Sequence, residues 1–253
     1  MNQFFTKLLG LPVLASEHGA NVDKLIIYLH WLMVTLFLGW FLYFLYVIWR
    51  FRASRNTTAS YQGVTNHSSS WLEVGVAGFE AVLLFGMAIP YWVRAVDKFP
   101  PEKDSTVIRI IGRQFNWLGR YPGADGEFGR QDIKLISTDN PLGVDKSDPK
   151  AKDDIDVNGE FAVPVGKPVI VQLSSLDVIH SFKLPAMRMT QDAIPGMRIP
   201  VHFVPTATNS YMLFCAQLCG NGHSNMKGLF KVLSPEDYEK WLKSKAGGAA
   251  SFE

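Results

Sequence analysis

The segment Cys215-Ala-Gln-Leu-Cys219-Gly-Asn-Gly-His223-Ser-Asn-Met226 puts two thiols, an imidazole and a thioether on one short stretch of chain. Sulfur donors combined with imidazole favour copper over hard cations. A second imidazole, His180, stands in Leu176-Asp177-Val178-Ile179-His180-Ser181-Phe182, just after an expected strand. A blue-copper site needs one Cys, two His and a weak Met. Here a second Cys is present. Two thiolates as bridges, with one imidazole at each end, can hold a pair of copper ions, which is the composition of a dinuclear CuA centre. Metals that share two sulfurs can spread one unpaired electron over both, so geometry changes little with redox state. Such a centre relays electrons and keeps no open position for a substrate, unlike a catalytic metal site. Taken singly, a Cys-x-x-x-Cys pair reads as a disulfide, His180 as a structural histidine and Met226 as core filler. Their conjunction is what points to metal.

Such a site needs a rigid frame. From about Thr106 the apolar runs become short and β-branched, as in TVIRII, VIVQL, RIPVHFV, YMLF and LFKVL, with Pro, Gly and Asn between them. That texture predicts an all-β sandwich or barrel. Residues 139–160, rich in Asp and Lys, are expected to form a charged surface loop. Ser234-Pro235-Glu236-Asp237 carries a Ser cap, Pro at the first position and acids in the first turn, which predicts a short helix over 235–245.

Ahead of this domain the chain reads differently. Residues 25–49 carry no Lys, Arg, Asp or Glu, and that is longer than the roughly 20 apolar residues needed to cross a bilayer. Residues 74–93 form a second run with one acid, Glu80, and with Pro90 expected to bend or end it. An acid inside a span faces protein or water, so Glu80 is expected to point at a partner subunit. The connecting loop holds Arg50, Arg52 and Arg55 and no acid, which places it on the cytoplasmic side. Both termini and everything after residue 96 then lie outside. The expected division is an N-terminal segment 1–23, a transmembrane hairpin 24–96, and an extracytoplasmic domain 97–253. The apolar stretch 8–15, with Lys7 before it, makes a poor signal peptide.

The bulk composition removes other classes. With 25 basic and 23 acidic residues the net charge is +2, which gives no basic excess for nucleic acid. Two cysteines permit at most one disulfide, so no disulfide framework holds the fold.

These residues resemble cytochrome c oxidase subunit II. The resemblance runs from the helical hairpin to the C-terminal helix, and is most specific at Cys215 to Met226, at Asp177 to Phe182 and at Thr190-Gln-Asp-Ala-Ile-Pro-Gly196. It implies a two-helix transmembrane hairpin carrying an all-β, cupredoxin-like Greek-key barrel in a bacterial cytoplasmic membrane, with the copper domain periplasmic. It implies that Cys215 and Cys219 bridge both coppers and that His180 and His223 cap one each. Met226 is then a weak ligand to one copper, and the Gln217 carbonyl to the other. Electrons would come from a cytochrome c and pass to a haem in subunit I, the partner that reduces oxygen and pumps protons. Phe115 and Trp117 match the patch where electrons enter, and Glu73 matches a glutamate at the mouth of a proton path. Gln217 departs from the glutamate usual at its position. That side chain helps relatives hold a magnesium ion between subunits, and a neutral amide is a weaker ligand for it. The rival readings are a copper-free quinol oxidase subunit II, a CuA subunit of another membrane reductase of the nitric oxide reductase type, and an anchored copper-delivery protein.

Overall fold

The computed structural model describes residues 2–58, 61–63 and 65–246. It comprises two compact units, residues 21–94 and residues 1–20 with 95–253.

The first unit is helical. Helix α1 (Asn2–Leu8) belongs to the other unit; α2 (Gly19–Arg50) starts there and supplies the first span. Its apolar side chains, Phe37, Trp40 and Leu42 among them, are exposed. A helix that is apolar all round and unburied suits a lipid surroundings. The second span runs unbroken from Ser68 to Val96 as α3 (Ser68–Leu83), a π-helical turn (Leu84–Ala88) and α4 (Ile89–Val96). Both helices are long and apolar enough to cross a membrane. Pro90, expected to bend or end the span, does not end it. It has no N–H to give, and the turn before it widens so that the Ile89 N–H donates to the Leu84 carbonyl. A π-bulge of this kind absorbs a missing rung of the hydrogen-bond ladder.

The second unit is a β-sandwich of the cupredoxin type. One sheet has the order β3-β2-β1-β5-β8, from β1 (Thr106–Arg113), β2 (Asn116–Tyr121), β3 (Ile155–Asn158), β5 (Val169–Ser175) and β8 (Ile199–Phe203). The other has the order β4-β10-β9-β6-β7, from β4 (Glu160–Pro164), β6 (His180–Leu184), β7 (Met189–Ala193), β9 (Asn209–Cys215) and β10 (Lys227–Leu233). β1 runs parallel to β5 and β10 parallel to β4; the other pairings are antiparallel. Trp117, Phe161, Phe182, Phe203, Phe230, Ile110 and Leu173 fill the space between the sheets. The Tyr121 hydroxyl links the sheets as well. It donates to the Ala162 carbonyl at 2.9 Å and accepts from the Ala162 N–H at 2.8 Å.

The charged stretch 139–160 is not a free surface loop. Leu142 and Val144 are buried against Ile111 and Leu118 on the outer face of the first sheet. Ile155 and Val157 alternate inward in β3, which pairs with β2. The aspartates around them are held too: Asp156 and Asp154 ion-pair with Arg120, which is only 2% exposed. Because acids alternate with the two apolar residues, the strand looks like loop in composition.

The N-terminal segment is tied to the same sandwich. Ala15 is fully buried, its N–H donates to the Ala186 carbonyl, and Glu17 N–H donates to the Val204 carbonyl. The C-terminal helix α5 (Pro235–Ala246) is where the sequence places it. Ser234 Oγ accepts from the Asp237 N–H, and Trp241 packs edge-on to Tyr121.

Candidate metal centre

The site lies at one end of the second sheet, where β6 and β9 meet. His180 opens β6 and Cys215 closes β9, and Phe182 of β6 is in register with Cys215. The chain then loops through Gln217 and Cys219 to a single 3-10 turn (His223–Asn225) and Met226. The Cys215 N–H donates to the Met226 carbonyl, which closes the loop on itself.

The donor atoms converge. Cys215 Sγ lies 3.8 Å from Cys219 Sγ and 3.9 Å from His180 Nδ1. Cys219 Sγ lies 3.6 Å from His223 Nδ1 and 3.8 Å from Met226 Sδ. The Gln217 carbonyl is 3.2 Å from Cys215 Sγ. His180, Cys215, Cys219 and Met226 are buried, and His223 is half-buried. The Gln217 side chain is exposed, so its backbone oxygen faces the sulfurs and its amide does not share their burial.

Metal-free, this pocket is unfavourable to charge. Burial, reinforced by the adjacent Cys215 sulfur, pushes the Cys219 thiol up to about 11. Both cysteines are free thiols. A soft cation that binds the cysteines as thiolates displaces protons, and it then compensates the burial that raises Cys219. The soft, buried, closed donor set therefore fits copper.

Asp177, assigned no role from the sequence, fixes one end. Its Oδ1 lies 2.8 Å from His180 Nε2, so that nitrogen carries the proton and leaves Nδ1 free to face the sulfurs. Burial alone would raise the Asp177 carboxyl. Hydrogen bonds from the Gln114 N–H, from His180 and from the Val178 N–H outweigh it and hold the group below its ordinary range. The motif's acid three residues before the histidine was the available signal.

Gly112 makes the opposite wall. A Cβ there would sit 2.6 Å from His180 Cδ2. Gly112→Ala is expected to turn the imidazole and weaken copper binding by an order of magnitude or more, as loss of an orienting partner does. Competition with a copper chelator on the purified chain measures it.

The expected docking pair Phe115 and Trp117 is separated by the structure. Phe115 lies in the turn between β1 and β2, is 37% exposed, and packs so closely on the copper loop that a Cβ on Gly222 would meet its ring at 2.4 Å. Trp117 is fully buried, edge-on to His180 and Phe182 at centroid distances of 6.0 and 6.1 Å. A residue two positions along an ideal strand shares its neighbour's face, but β2 starts only at Asn116. Trp117 therefore supports the site from beneath and offers no docking surface. Glu73 is exposed on α3, in the helical unit.

The family model for cytochrome c oxidase subunit II, periplasmic domain, matches residues 106–232, the span that holds every donor atom described above. The chain belongs to the cytochrome c oxidase subunit II family. Alternative cytochrome c oxidase subunit 2 of Bradyrhizobium diazoefficiens is 34% identical over 90% of this chain and 81% of its own length. Cytochrome c oxidase subunit 2 of Cereibacter sphaeroides is 29% identical over 87% of this chain and 77% of its own. Among solved structures, the periplasmic domain of cytochrome oxidase subunit II of Bradyrhizobium japonicum matches 58% of this chain and 95% of its own, with 29% identity and a TM-score of 0.42. Membership of subunit II makes this a component of an oxidoreductase complex, a membrane protein with a periplasmic domain, and a partner of other oxidase subunits. It also implies copper, for which His180, Cys215 and Cys219 are grouped.

Proposed function

We propose that this chain holds a dinuclear CuA centre and is the electron-accepting subunit of a proton-pumping haem–copper oxidase. The observation that carries the reading is the convergence of two thiols, two Nδ1 atoms, a thioether and a carbonyl oxygen in one closed pocket. When bound, the copper pair supplies a one-electron relay that needs little rearrangement. The chain's own residues make that possible. Cys215 and Cys219 would hold the pair as shared thiolates, with His180 and His223 as end ligands and Met226 and the Gln217 carbonyl as weaker ones. The β-strands under Cys215 and His180 fix the donors before metal arrives, and Asp177 fixes the imidazole tautomer. Burial keeps water and substrates from the donors, which disfavours bond chemistry.

The copper domain, 97–253, then stands on the periplasmic side of a bacterial cytoplasmic membrane, anchored by 24–96, with both termini on that side. Its donor is a cytochrome c, and its acceptor a haem in subunit I. Phe115 supplies the exposed apolar edge over the copper loop. Glu73 is assigned to the mouth of a proton path into subunit I. The full set of copper donors favours this reading over a copper-free quinol oxidase subunit.

Phe115→Ala is expected to slow electron transfer from reduced cytochrome c several-fold or more and to alter copper binding much less, because an aromatic edge packs against the donor. The wild-type rate should fall with added salt, since encounter between charged partners is steered electrostatically. Stopped-flow reduction at several salt concentrations is the check. Unchanged rates in Phe115→Ala with every competent cytochrome would return the ring to a packing role.

A further inference from the structure

Gln114 is placed between the two halves of the centre, at the turn leaving β1. Its backbone N–H donates to Asp177 Oδ2 at 2.7 Å, and Asp177 Oδ1 in turn holds His180 Nε2. Its side-chain Nε2 donates to the Cys219 carbonyl at 2.7 Å. A backbone carbonyl can only accept, so the amide nitrogen has to face it. One residue thus grips both segments that carry ligands: the β5–β6 connection ending at His180, and the loop holding Cys219, His223 and Met226. These segments lie 63 and 105 positions along the chain from Gln114.

The fit around it is close. Gly220 has a φ of +134°, and a Cβ there would come within 2.9 Å of Gln114 Nε2 and 3.0 Å of Phe115 Cζ. The loop therefore leaves a groove that the Gln114-Phe115 pair fills. Strand hydrogen bonds do not hold this part of the loop, since β9 ends at Cys215 and β10 starts at Lys227. The bonds within residues 220–226 are local ones, from His223 N–H to Gly220, Asn225 N–H to Gly222 and Met226 N–H to His223. They shape the turn; the loop's end is tied to β9 through the Cys215 N–H to Met226 carbonyl bond, which lies beyond Cys219 and His223 and does not hold the Cys219 carbonyl.

We propose that Gln114 is a positioning residue that sets the Cys219–His223 half of the centre against the Asp177–His180 half. This rests on the reading of the pocket as a copper centre. Gln114 touches no metal; it acts by holding the Cys219 carbonyl, and so the Cys219 sulfur, at its distance from Cys215. Removing the donor lets the Cys219 loop open while the His180 half keeps its backbone hydrogen bond.

The test uses the full-length chain in detergent, with Gln114→Leu and Gln114→Glu. Both keep a side chain of similar size and the backbone N–H to Asp177, and both remove the amide donor. In metal-free protein, alkylation of the Cys219 thiol, read site by site by mass spectrometry, should speed up about tenfold in each variant, the opening expected from losing one such hydrogen bond. Cys215, held in β9, should change much less. In copper-loaded protein both variants should keep the wild-type metal count but shift the reduction potential and broaden the optical band of the centre. Wild-type labelling rates together with a wild-type potential in both variants would overturn the proposal. An effect in Gln114→Leu alone would also overturn it, by making polarity at this position the cause. If the metal-free loop opens as stated but loaded wild-type protein binds a single copper, the positioning role stands and the dinuclear reading fails.

Discussion

Cys219→Ser should abolish the two-copper centre. Cys219 Sγ is the shared point of the site: Cys215 Sγ, His223 Nδ1 and Met226 Sδ all lie within 3.6–3.8 Å of it. A serine hydroxyl is a hard, weakly acidic donor and cannot bridge two soft ions as a thiolate does. The domain should still fold, since Cys219 leaves a loop and no strand. The expected result is copper falling from two per chain to one or none, with the spectrum of a shared electron lost, checked by metal analysis and electron paramagnetic resonance on one sample. Retention of a normal two-copper spectrum would remove Cys219 as a bridge.

Trp117→Ala should have the largest effect on stability. The indole is fully buried and contacts His180 and Phe182 edge-on. Deleting it opens a cavity between the sheets at a cost of about 3–5 kcal/mol, a large share of what holds a domain together. The loss should show as a lower urea midpoint. Because the cavity opens beneath His180, copper affinity should fall as well, although Trp117 is no ligand. Were Trp117 a docking residue, its replacement would slow reduction by cytochrome c and leave stability alone. Equal stability of variant and wild type would contradict the burial seen here.

The convergence of the candidate donors was legible because four of the side chains share one short segment and their donor chemistry is unusual. The strands β1, β5, β8, β9 and β10 were legible because each carries a β-branched or aromatic run. β3 was hidden by the acids that flank Ile155 and Val157, which a buried Arg120 neutralises from the neighbouring strand. No pattern local to the sequence marks such an ion pair. Likewise Gly112 and Gln114 act across long chain separations, by a missing Cβ or by hydrogen bonds, whereas Asp177 stands only three residues before the His180 it holds. Trp117 was grouped with Phe115 because the resemblance covers the whole stretch, and nothing local to it shows that Phe115 lies in a turn while Trp117 is buried. Whether Pro90 bends or ends the span could not be told from composition, because the π-turn that accommodates it leaves no mark there.

The most direct measurement is the copper count per chain in the purified full-length protein, taken with its electron paramagnetic resonance spectrum. Two coppers per chain and one unpaired spin coupled equally to both copper nuclei are the predicted result. One copper per chain in folded, saturated protein, with the spin confined to a single nucleus, would contradict it.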